Sequence, residues 1–460
     1  MLPSLPNAFL SRMQRLLGAD FERFCEQYAA PLRRGVRVNT LKTDADTFLP
    51  LFPHPLTAAP FAADSFYLDA AHKAGADPLF HAGAYYMQEP SASAAVTVLA
   101  PQAGERILDL CAAPGGKSTQ IAAAMRGKGL LFCNEYVRPR AKILQQNLER
   151  CGVKNAVVTS TAPAILAQGL PGYFDAVLVD APCSGEGMFR KEPDALTGWS
   201  EQAVAQCAAR QRDILTAAAK TVKPGGRLVY STCTFAPEEN ECMAVWFLQT
   251  HPDFEPLPTR VSFGAAGFPF ETVAPFDRTL TDAGRYLSSA CRRILPFHGG
   301  EGHFIAAFRR REDAAAQRVE SFQYPAADAA AAALYADCFT DDMWGVPMTV
   351  GETVRLLPPG LPRLAGLGVL SAGVMLAECK KARLEPAHAI FMATAAADCR
   401  RLVSFSPEDE RLRAFLHGEE LAVDAENGFT AVAAAGIPCG FGKVSGGRLK
   451  NRYPKGLRLL

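Results

Sequence analysis

Two cysteines each follow directly after a hydrophobic run that is typical of a buried β-strand. Cys183 lies in the segment Asp-Ala-Pro-Cys-Ser-Gly after FDAVLVD, and Cys233 comes directly after GRLVYST. Ligands of open α/β sheets bind beside the carboxyl ends of the strands, so we expect both thiols at that edge. One such cysteine is often a small buried hydrophobe, but two beside one ligand site favour a chemical role. Neither has a histidine or further cysteine at ligand spacing, so we predict no metal.

A pair of thiols suits methylation of carbon 5 of cytosine. Addition of a thiolate to carbon 6 makes carbon 5 enamine-like, and a second cysteine can help remove the carbon 5 proton, directly or through water. Asp180, which ends FDAVLVD, is predicted to hold the cytosine edge and to help protonate a ring nitrogen, a role that favours a raised pKa. Methylation of an exocyclic amine is the disfavoured alternative, because such enzymes typically carry an aromatic residue where this chain has Cys183.

A glycine-containing loop follows another strand-like run, RILDLC, and leads into a helix that starts near Thr119. Glycines allow a sharp turn and close approach to a ligand, and the helix N-terminus offers free N–H groups. The loop lacks the glycine spacing of dinucleotide and P-loop motifs, which disfavours NAD and ATP. Glu135 ends the next strand, LLFCNE, where an acidic residue can bind ribose hydroxyls.

The elements around these residues predict an α/β domain. Short hydrophobic runs alternate with helical segments from about residue 81 to 311, which favours a parallel-type sheet with helices on both faces. Residues 1–80 are predicted to form a small α+β domain, and 312–325 a linker. Residues 326–460 are rich in Gly and Pro turns and are predicted to be a separate α+β region, which can contain two subdomains.

Composition limits the class of protein further. The chain has 460 residues, 49% of them hydrophobic, 13 cysteines and a formal net charge of +1. We predict a cytoplasmic protein with reduced thiols, without a membrane segment, and a monomer. Any contact with nucleic acid must come from local clusters of basic residues. Two such clusters are candidates for phosphate contacts: Arg33, Arg34, Arg37 and Lys42 near the start, and Lys443, Arg448, Lys450, Arg452, Lys455 and Arg458 at the end.

Three motifs together resemble the Nol1/Nop2/Sun family of RNA cytosine-5 methyltransferases. They are LDLCAAPGGKS (108–118), DAPCSGEGMFRKEPDAL (180–196) and YSTCTFAPEENE (230–241), and the resemblance spans residues 81 to 311. Three more segments, RVNTLK (37–42), YYMQEPSAS (85–93) and KNRYPKGLR (450–458), resemble the bacterial RsmF group within that family. The resemblance implies a Rossmann-like methyltransferase domain that uses S-adenosylmethionine, flanked by a small N-terminal α+β domain and a C-terminal α+β, PUA-like RNA-binding region.

The resemblance also implies a role for individual residues. Glu135 would bind the ribose hydroxyls, and Asp180 would lie between cofactor and base. Cys233 would be the nucleophile, and Cys183 would assist product release. The RNA side would include Pro182, Arg190 and Lys191, and the S-adenosylmethionine pocket would be lined by Cys111, Ala112, Ala113, Pro114, Gly115, Gly116 and Lys117.

The chain departs from the family at one position and leaves the substrate open. Ala162 stands where the family usually has an aspartate that contacts the adenine amine, so Ser160, Thr161 or a backbone carbonyl would have to substitute. The favoured substrate is small-subunit ribosomal RNA, and transfer RNA is the alternative within the family. A non-catalytic RNA-binding assembly factor is the alternative outside catalysis, although both cysteines and Asp180 are present.

Overall fold

The computed structural model describes residues 5–277, 279, 287, 289–315, 319–325, 329–381 and 383–459. Residues 316–318 of the predicted linker and 326–328 of the predicted C-terminal region lie outside this described part.

The N-terminal part combines helices with a small antiparallel sheet, as predicted. Its strands are ordered β2-β3-β1-β4, and the last of them, at residues 85–87, extends the sheet past residue 80. Phe9 of the first helix packs edge-on against Phe189 and Trp199 of the following domain. The elements are α1 (Asn7–Leu17), α2 (Phe21–Ala29), β1 (Arg34–Val38), α3 (Ala45–Phe48), β2 (Thr57–Ala58), β3 (Ser65–Leu68), α4 (Pro78–His81) and β4 (Tyr85–Met87).

The central domain is a mixed sheet with helices on both faces. Its strands are ordered β11-β12-β13-β9-β8-β5-β6-β7, and β10 pairs with β13. The elements are α5 (Ala94–Leu99), β5 (Arg106–Asp109), α6 (Gly116–Ala124), β6 (Leu130–Asn134), α7 (Arg138–Arg150), β7 (Ala156–Thr159), α8 (Pro163–Gly169), β8 (Phe174–Asp180), α9 (Pro193–Thr197), α10 (Glu201–Thr221), β9 (Val222–Thr232), α11 (Glu241–Thr250), β10 (Phe254–Pro256), β11 (Ala265–Ala266), α12 (Phe270–Val273), β12 (Cys291–Ile294) and β13 (His303–Arg310).

The order of the central strands explains where a ligand can bind. Strands β5, β6, β7, β8 and β9 run parallel, and β5 lies between β6 and β8. Connections from β5 and β8 therefore leave in opposite directions and open a crevice at their carboxyl ends. The run HFIAAF, predicted as one more strand of a parallel-type sheet, forms β13 and pairs antiparallel with β9. The six predicted strands are otherwise present, because each is a short hydrophobic run bounded by turn residues.

The C-terminal region has two small sheets and also extends the central one. Strand β16 pairs antiparallel with β7, so this region adds the last strand to the methyltransferase sheet. No helix in the described part of the chain is long and apolar enough to cross a membrane. The elements are α13 (Ala329–Cys338), β14 (Val346–Val350), β15 (Thr353–Leu357), β16 (Val369–Ala372), β17 (Val374–Lys380), β18 (Arg383–Pro386), α14 (His388–Ala393), β19 (Leu402–Phe405), α15 (Glu410–His417), β20 (Leu421–Ala422), β21 (Gly428–Ala434), β22 (Ile437–Ser445) and β23 (Arg448–Asn451).

Candidate active site

The loop between β5 and α6 is shaped by a glycine in the left-handed region. Gly115 has φ 114° and precedes the first residue of α6, and a Cβ on it would lie 3.2 Å from Leu144 Cδ1. The loop is held from the side of α7, because Asn147 Nδ2 donates to the Pro114 carbonyl at 2.9 Å and Arg140 donates to the Ala113 carbonyl at 3.1 Å. The free N–H groups at the start of α6 therefore remain available to a ligand in the crevice.

Two buried carboxylates face this loop. Asp109, at the end of β5, accepts a hydrogen bond from Ser118 Oγ at 2.7 Å through one oxygen, and its other oxygen is buried without a hydrogen-bond partner among the described residues. Burial raises the pKa of Asp109 to about 7. Glu135 is 5% exposed and accepts from the Val137 backbone at 2.8 Å. An unpaired carboxylate oxygen and a second acid beside a glycine loop fit a ligand with hydroxyl and amino donors, such as S-adenosylmethionine.

The edge beyond β7 is organised by an asparagine. Asn134 Oδ1 accepts hydrogen bonds from Thr159 Oγ1 at 2.8 Å and from the Thr161 backbone at 3.3 Å. Ala162 begins the turn into α8 and has no polar side chain, as the sequence states. The Ser160 hydroxyl donates to the Tyr136 carbonyl at 3.4 Å, which leaves Thr161 as the nearest candidate hydroxyl for an adenine contact.

Asp180 and Lys117 form an ion pair between the loop and the two cysteines. Lys117 Nζ lies 2.7 Å from Asp180 Oδ2, and Ser231 Oγ donates to Asp180 Oδ1 at 2.7 Å. Burial acts to raise the pKa of Asp180, but the Lys117 charge and these two hydrogen bonds outweigh it and leave the pKa lowered. The expectation of a raised pKa for Asp180 was therefore wrong. The reason is that Lys117, predicted as a cofactor residue, points to the carboxylate and neutralises it.

Cys183 and Cys233 are brought together because β8 and β9 are neighbours in the sheet. Their sulfur atoms lie 3.3 Å apart, within hydrogen-bonding distance. The loop after β8 is fixed to the end of β9 by a bond of 2.8 Å from the Gly187 backbone to the Cys233 carbonyl and one of 2.8 Å between the Ser184 and Thr234 hydroxyls. The hydrogen bond with Cys233, followed by burial, raises the pKa of Cys183 well above its usual value. Cys183 is therefore the protonated thiol of the pair.

Two polar groups that sequence reasoning missed support the loop of Cys183. Glu239 accepts from the Ser184 backbone at 3.0 Å and from Gln211 Nε2 at 2.8 Å. Gln211 also donates to the Pro182 carbonyl at 3.0 Å, so both flanks of Cys183 are held. Burial raises the pKa of Glu239 to about 7. The signal for Glu239 was its place in the PEENE segment, just after the second cysteine motif.

A buried histidine was also missed. His303 starts β13, and the pairing of Phe304 with Thr232 places it beside the end of β9, where Cys233 lies. Ser91 Oγ donates to Glu89 Oε2 at 2.5 Å, so it must accept from His303 Nδ1 at 2.9 Å. This arrangement leaves the Nε2 lone pair of His303 as an acceptor. Burial lowers the pKa of His303 to about 4, so the ring is neutral at physiological pH.

The residues predicted on the RNA side differ in their exposure. Pro182 is exposed and Lys191 is half-buried beside the cysteine loop. The Arg190 side chain is 7% exposed and pairs with Glu301 at 3.0 Å, and it also donates to the Ala30 carbonyl. Its charge is therefore already neutralised within the protein, where it joins the N-terminal part to the central domain.

The first basic cluster is only partly on the surface. Arg33 and Arg34 are exposed. Arg37 is 1% exposed and donates to Gln88 at 2.9 Å and to Thr119 at 2.7 Å. Lys42 is buried, donates to the Met392 carbonyl, and has its pKa lowered by burial to about 8. Arg37 and Lys42 were therefore wrongly predicted as phosphate contacts, because both connect domains inside the fold.

The second basic cluster lies on β22, β23 and the residues after them. Five of its six members are exposed and Arg458 is half-buried. Among the residues that the structure describes, no three His, Cys, Asp or Glu side chains form a group that could hold a metal ion.

The fold and the site define an S-adenosylmethionine-dependent methyltransferase. Four family models match successive segments of the chain. They are "16S rRNA methyltransferase RsmB/F" at residues 96–309, "N-terminal domain of 16S rRNA methyltransferase RsmF" at 5–90, "RsmF rRNA methyltransferase first C-terminal domain" at 336–394 and "Methyltransferase RsmF PUA domain" at 403–459. The chain belongs to the RsmF family of RNA methyltransferases.

Curated relatives match over nearly the whole chain. "Ribosomal RNA small subunit methyltransferase F" of Escherichia coli O9:H4 (strain HS) is 33% identical over 483 residues, which covers 98% of this chain and 96% of the relative. Among solved structures, a methyltransferase homolog protein from Pyrococcus horikoshii is 31% identical with a TM-score of 0.57, covering 67% of this chain and 96% of that one. NSun6 from the same organism, solved with SFG, has a TM-score of 0.56 at 20% identity over 68% of this chain and 100% of that one, and so shows the shared fold.

Proposed function

We propose that this protein methylates carbon 5 of cytosine in small-subunit ribosomal RNA through a covalent adduct with Cys233. The observation that carries the proposal is the contact between the sulfur atoms of Cys183 and Cys233, 3.3 Å apart at the ligand-binding edge of the sheet. Methylation of an exocyclic amine needs no thiol, whereas attack on carbon 6 needs one and release of the product benefits from a second.

The first step is attack by the Cys233 sulfur on carbon 6 of cytosine. The new bond uses the thiolate electron pair, and the electrons of the ring double bond move to carbon 5. Cys183 supports the thiolate by donating its S–H to the Cys233 sulfur, consistent with its raised pKa. The Lys117 ammonium also interacts electrostatically with Cys233 and so favours its anionic form.

Asp180 and Lys117 divide the task of holding the base. The lowered pKa of Asp180 keeps it as a carboxylate, which accepts a hydrogen bond from the exocyclic amine of cytosine. Lys117 has a raised pKa, since the Asp180 charge outweighs its burial. Its ammonium therefore donates to the ring as negative charge develops there. Protonation of the ring is thus assigned to Lys117, in place of the role first expected for Asp180.

S-adenosylmethionine, when bound, supplies an electrophilic methyl group to carbon 5. Residues Cys111 to Lys117, with Asp109 and Glu135, would hold it along the carboxyl ends of β5 and β6. After the transfer, the carbon 5 proton must be removed so that the carbon–sulfur bond to Cys233 can break. We assign this proton to Cys183, directly or through water, because its sulfur lies next to that of Cys233.

Ribosomal RNA is proposed as the substrate because the relatives at 33% identity are named as small-subunit ribosomal RNA methyltransferases. A PUA domain at residues 403–459 and exposed basic residues on β22 and β23 agree with an RNA partner, and the cytoplasm is the proposed location. Bisulfite sequencing of ribosomal and transfer RNA from a strain that lacks the gene tests the proposal. Loss of a methylated cytosine in the small-subunit RNA is expected. Loss only in transfer RNA would change the substrate, and no loss in either RNA would refute the activity.

A further inference from the structure

A cleft of about 750 Å³ lies between the three parts of the molecule, away from the two cysteines. We call it the three-domain cleft. Its walls come from α4 in the N-terminal part, from the second half of α7 in the central domain, and from β17, α14, β21, β22 and the segment after β23 in the C-terminal region. None of the predicted catalytic or cofactor residues lines it.

Aromatic rings form one wall of the three-domain cleft. Phe429 and Phe441 lie with their centroids 6.3 Å apart, and Tyr453 meets His388 edge-on at 5.3 Å. The Tyr453 hydroxyl and His81 Nδ1 are hydrogen-bonded at 2.9 Å, which fixes the ring between two domains. A wall of fixed aromatic rings suits a flat, conjugated ligand, since stacking requires no sequence-specific contacts.

Two polar groups in the three-domain cleft lack hydrogen bonds. His388 Nδ1 is buried and has no partner among the described residues, and burial lowers its pKa to about 3, so the ring is neutral. The Glu149 side chain makes no hydrogen bond within the described part of the chain, although Arg355 attracts it electrostatically. Buried polar groups in native proteins are nearly always satisfied. A ligand with N–H donors would satisfy the carboxylate.

The charges in the three-domain cleft cancel, so its interior does not attract a phosphate. Arg150, Lys380 and Arg452 face three carboxylates, Glu149, Glu378 and Glu385. Arg452 lies 3.8 Å from Glu385, and Lys380 is paired with Glu378.

The rim of the three-domain cleft is basic. Lys443 Nζ lies 5.2 Å from the centroid of Phe429, and Lys450 pairs opposite Lys443 on β23. Both lysines are exposed and belong to the C-terminal basic cluster. An RNA strand would therefore place its phosphates on the rim and a base inside.

We propose that the three-domain cleft binds the base of one unpaired guanine nucleotide of the substrate RNA. Guanine presents two adjacent N–H donors that match both oxygens of Glu149, and its ring system fits beside Phe429 and Tyr453. The flanking phosphates lie on Lys443 and Lys450. The inference rests on the proposed function only in taking RNA as the substrate, and it adds a recognition site separate from the cytosine that is methylated.

Binding of fluorescein-labelled RNA pentamers UUXUU, with X as G, A, C or U, to the full chain tests the proposal by fluorescence anisotropy. We expect the pentamer with G to bind at least about tenfold more tightly than the one with U, which is the smaller effect expected for a hydrogen bond to a charged group. Glu149→Gln should remove this preference, and Phe429→Ala should weaken all four pentamers. Glu352→Gln is the matched control, because Glu352 is exposed in the turn between β14 and β15.

Equal affinities for all four pentamers, or a guanine preference that survives Glu149→Gln, would overturn the proposal. Thermal unfolding and S-adenosylmethionine affinity of each variant report whether it is folded, and Phe429→Ala provides a second test if Glu149→Gln fails this check. Binding is measured without turnover. A guanine preference in a protein that does not methylate cytosine would therefore contradict only the proposed function, and methylation without the preference would contradict only the cleft.

Discussion

Removal of each cysteine separately is the sharpest test of the mechanism. If Cys233 attacks carbon 6, Cys233→Ala cannot form the adduct, and methylation should fall by at least about 10⁴-fold, as for other enzymes that lose their nucleophile. Cys183→Ala removes one hydrogen bond to the Cys233 sulfur, 3.3 Å away, and also the proposed base. The lost hydrogen bond should slow attack by about tenfold. The lost base should slow release by about 10² to 10⁴-fold.

Because release is slowed more than attack, the Cys183→Ala protein should accumulate as a covalent complex with RNA. Denaturing electrophoresis after incubation with S-adenosylmethionine and small-subunit ribosomal RNA measures this species. The double variant should behave like Cys233→Ala, since release does not matter when attack cannot occur. Cys379→Ala is the matched control, because this cysteine is exposed on β17 in the C-terminal region. An adduct trapped by Cys233→Ala and absent from Cys183→Ala would exchange the two roles, and full activity of both variants would refute covalent catalysis.

Three further predictions concern the cofactor, stability and the RNA surface. Glu135→Ala should weaken S-adenosylmethionine binding by about 1.5–3 kcal/mol in calorimetry, with no NAD binding to the parent protein, and an unchanged affinity would remove Glu135 from the pocket. Asp109 has its pKa raised to about 7, so the folded state retains its proton and stability falls as pH rises from about 4 to 7. Relative to Asp109→Asn, the protein should lose up to about 4 kcal/mol over this range in urea unfolding, and parallel pH profiles would contradict the assignment. Lys443→Gln with Lys450→Gln should make the salt dependence of RNA binding shallower by about 0.7 per lost phosphate contact, whereas an unchanged slope would make them solvated surface.

The last prediction uses point variants because a truncation would not isolate the charges. Removal of the chain after Gly442 also removes Val444 and Leu449, which are buried in the core of the last sheet. Loss of this core would unfold the C-terminal region and lower RNA affinity for a different reason. The basic cluster is thus part of two paired strands, β22 and β23.

Local pattern was sufficient to predict the strands and the position of the main site. FDAVLVD and LLFCNE are short hydrophobic runs that end in polar residues, and such runs form buried parallel strands whose carboxyl ends share one edge. Cys183, Cys233 and Glu135 were placed at this edge for that reason. The antiparallel direction of β13 was not predictable in this way, because a buried run has the same pattern in either direction.

The sequence by itself determined which side chains could react, since strand ends and glycine turns are encoded by neighbouring residues. Only the tertiary structure decided their ionisation and their partners. Asp180 has a lowered pKa because Lys117, on a separate helix, lies 2.7 Å away. Arg37, Lys42 and Arg190 had seemed available to RNA, yet each is buried between domains by partners distant in the chain. Charge, burial and pairing depend on contacts between remote segments, and those contacts exist only once the domains have packed together.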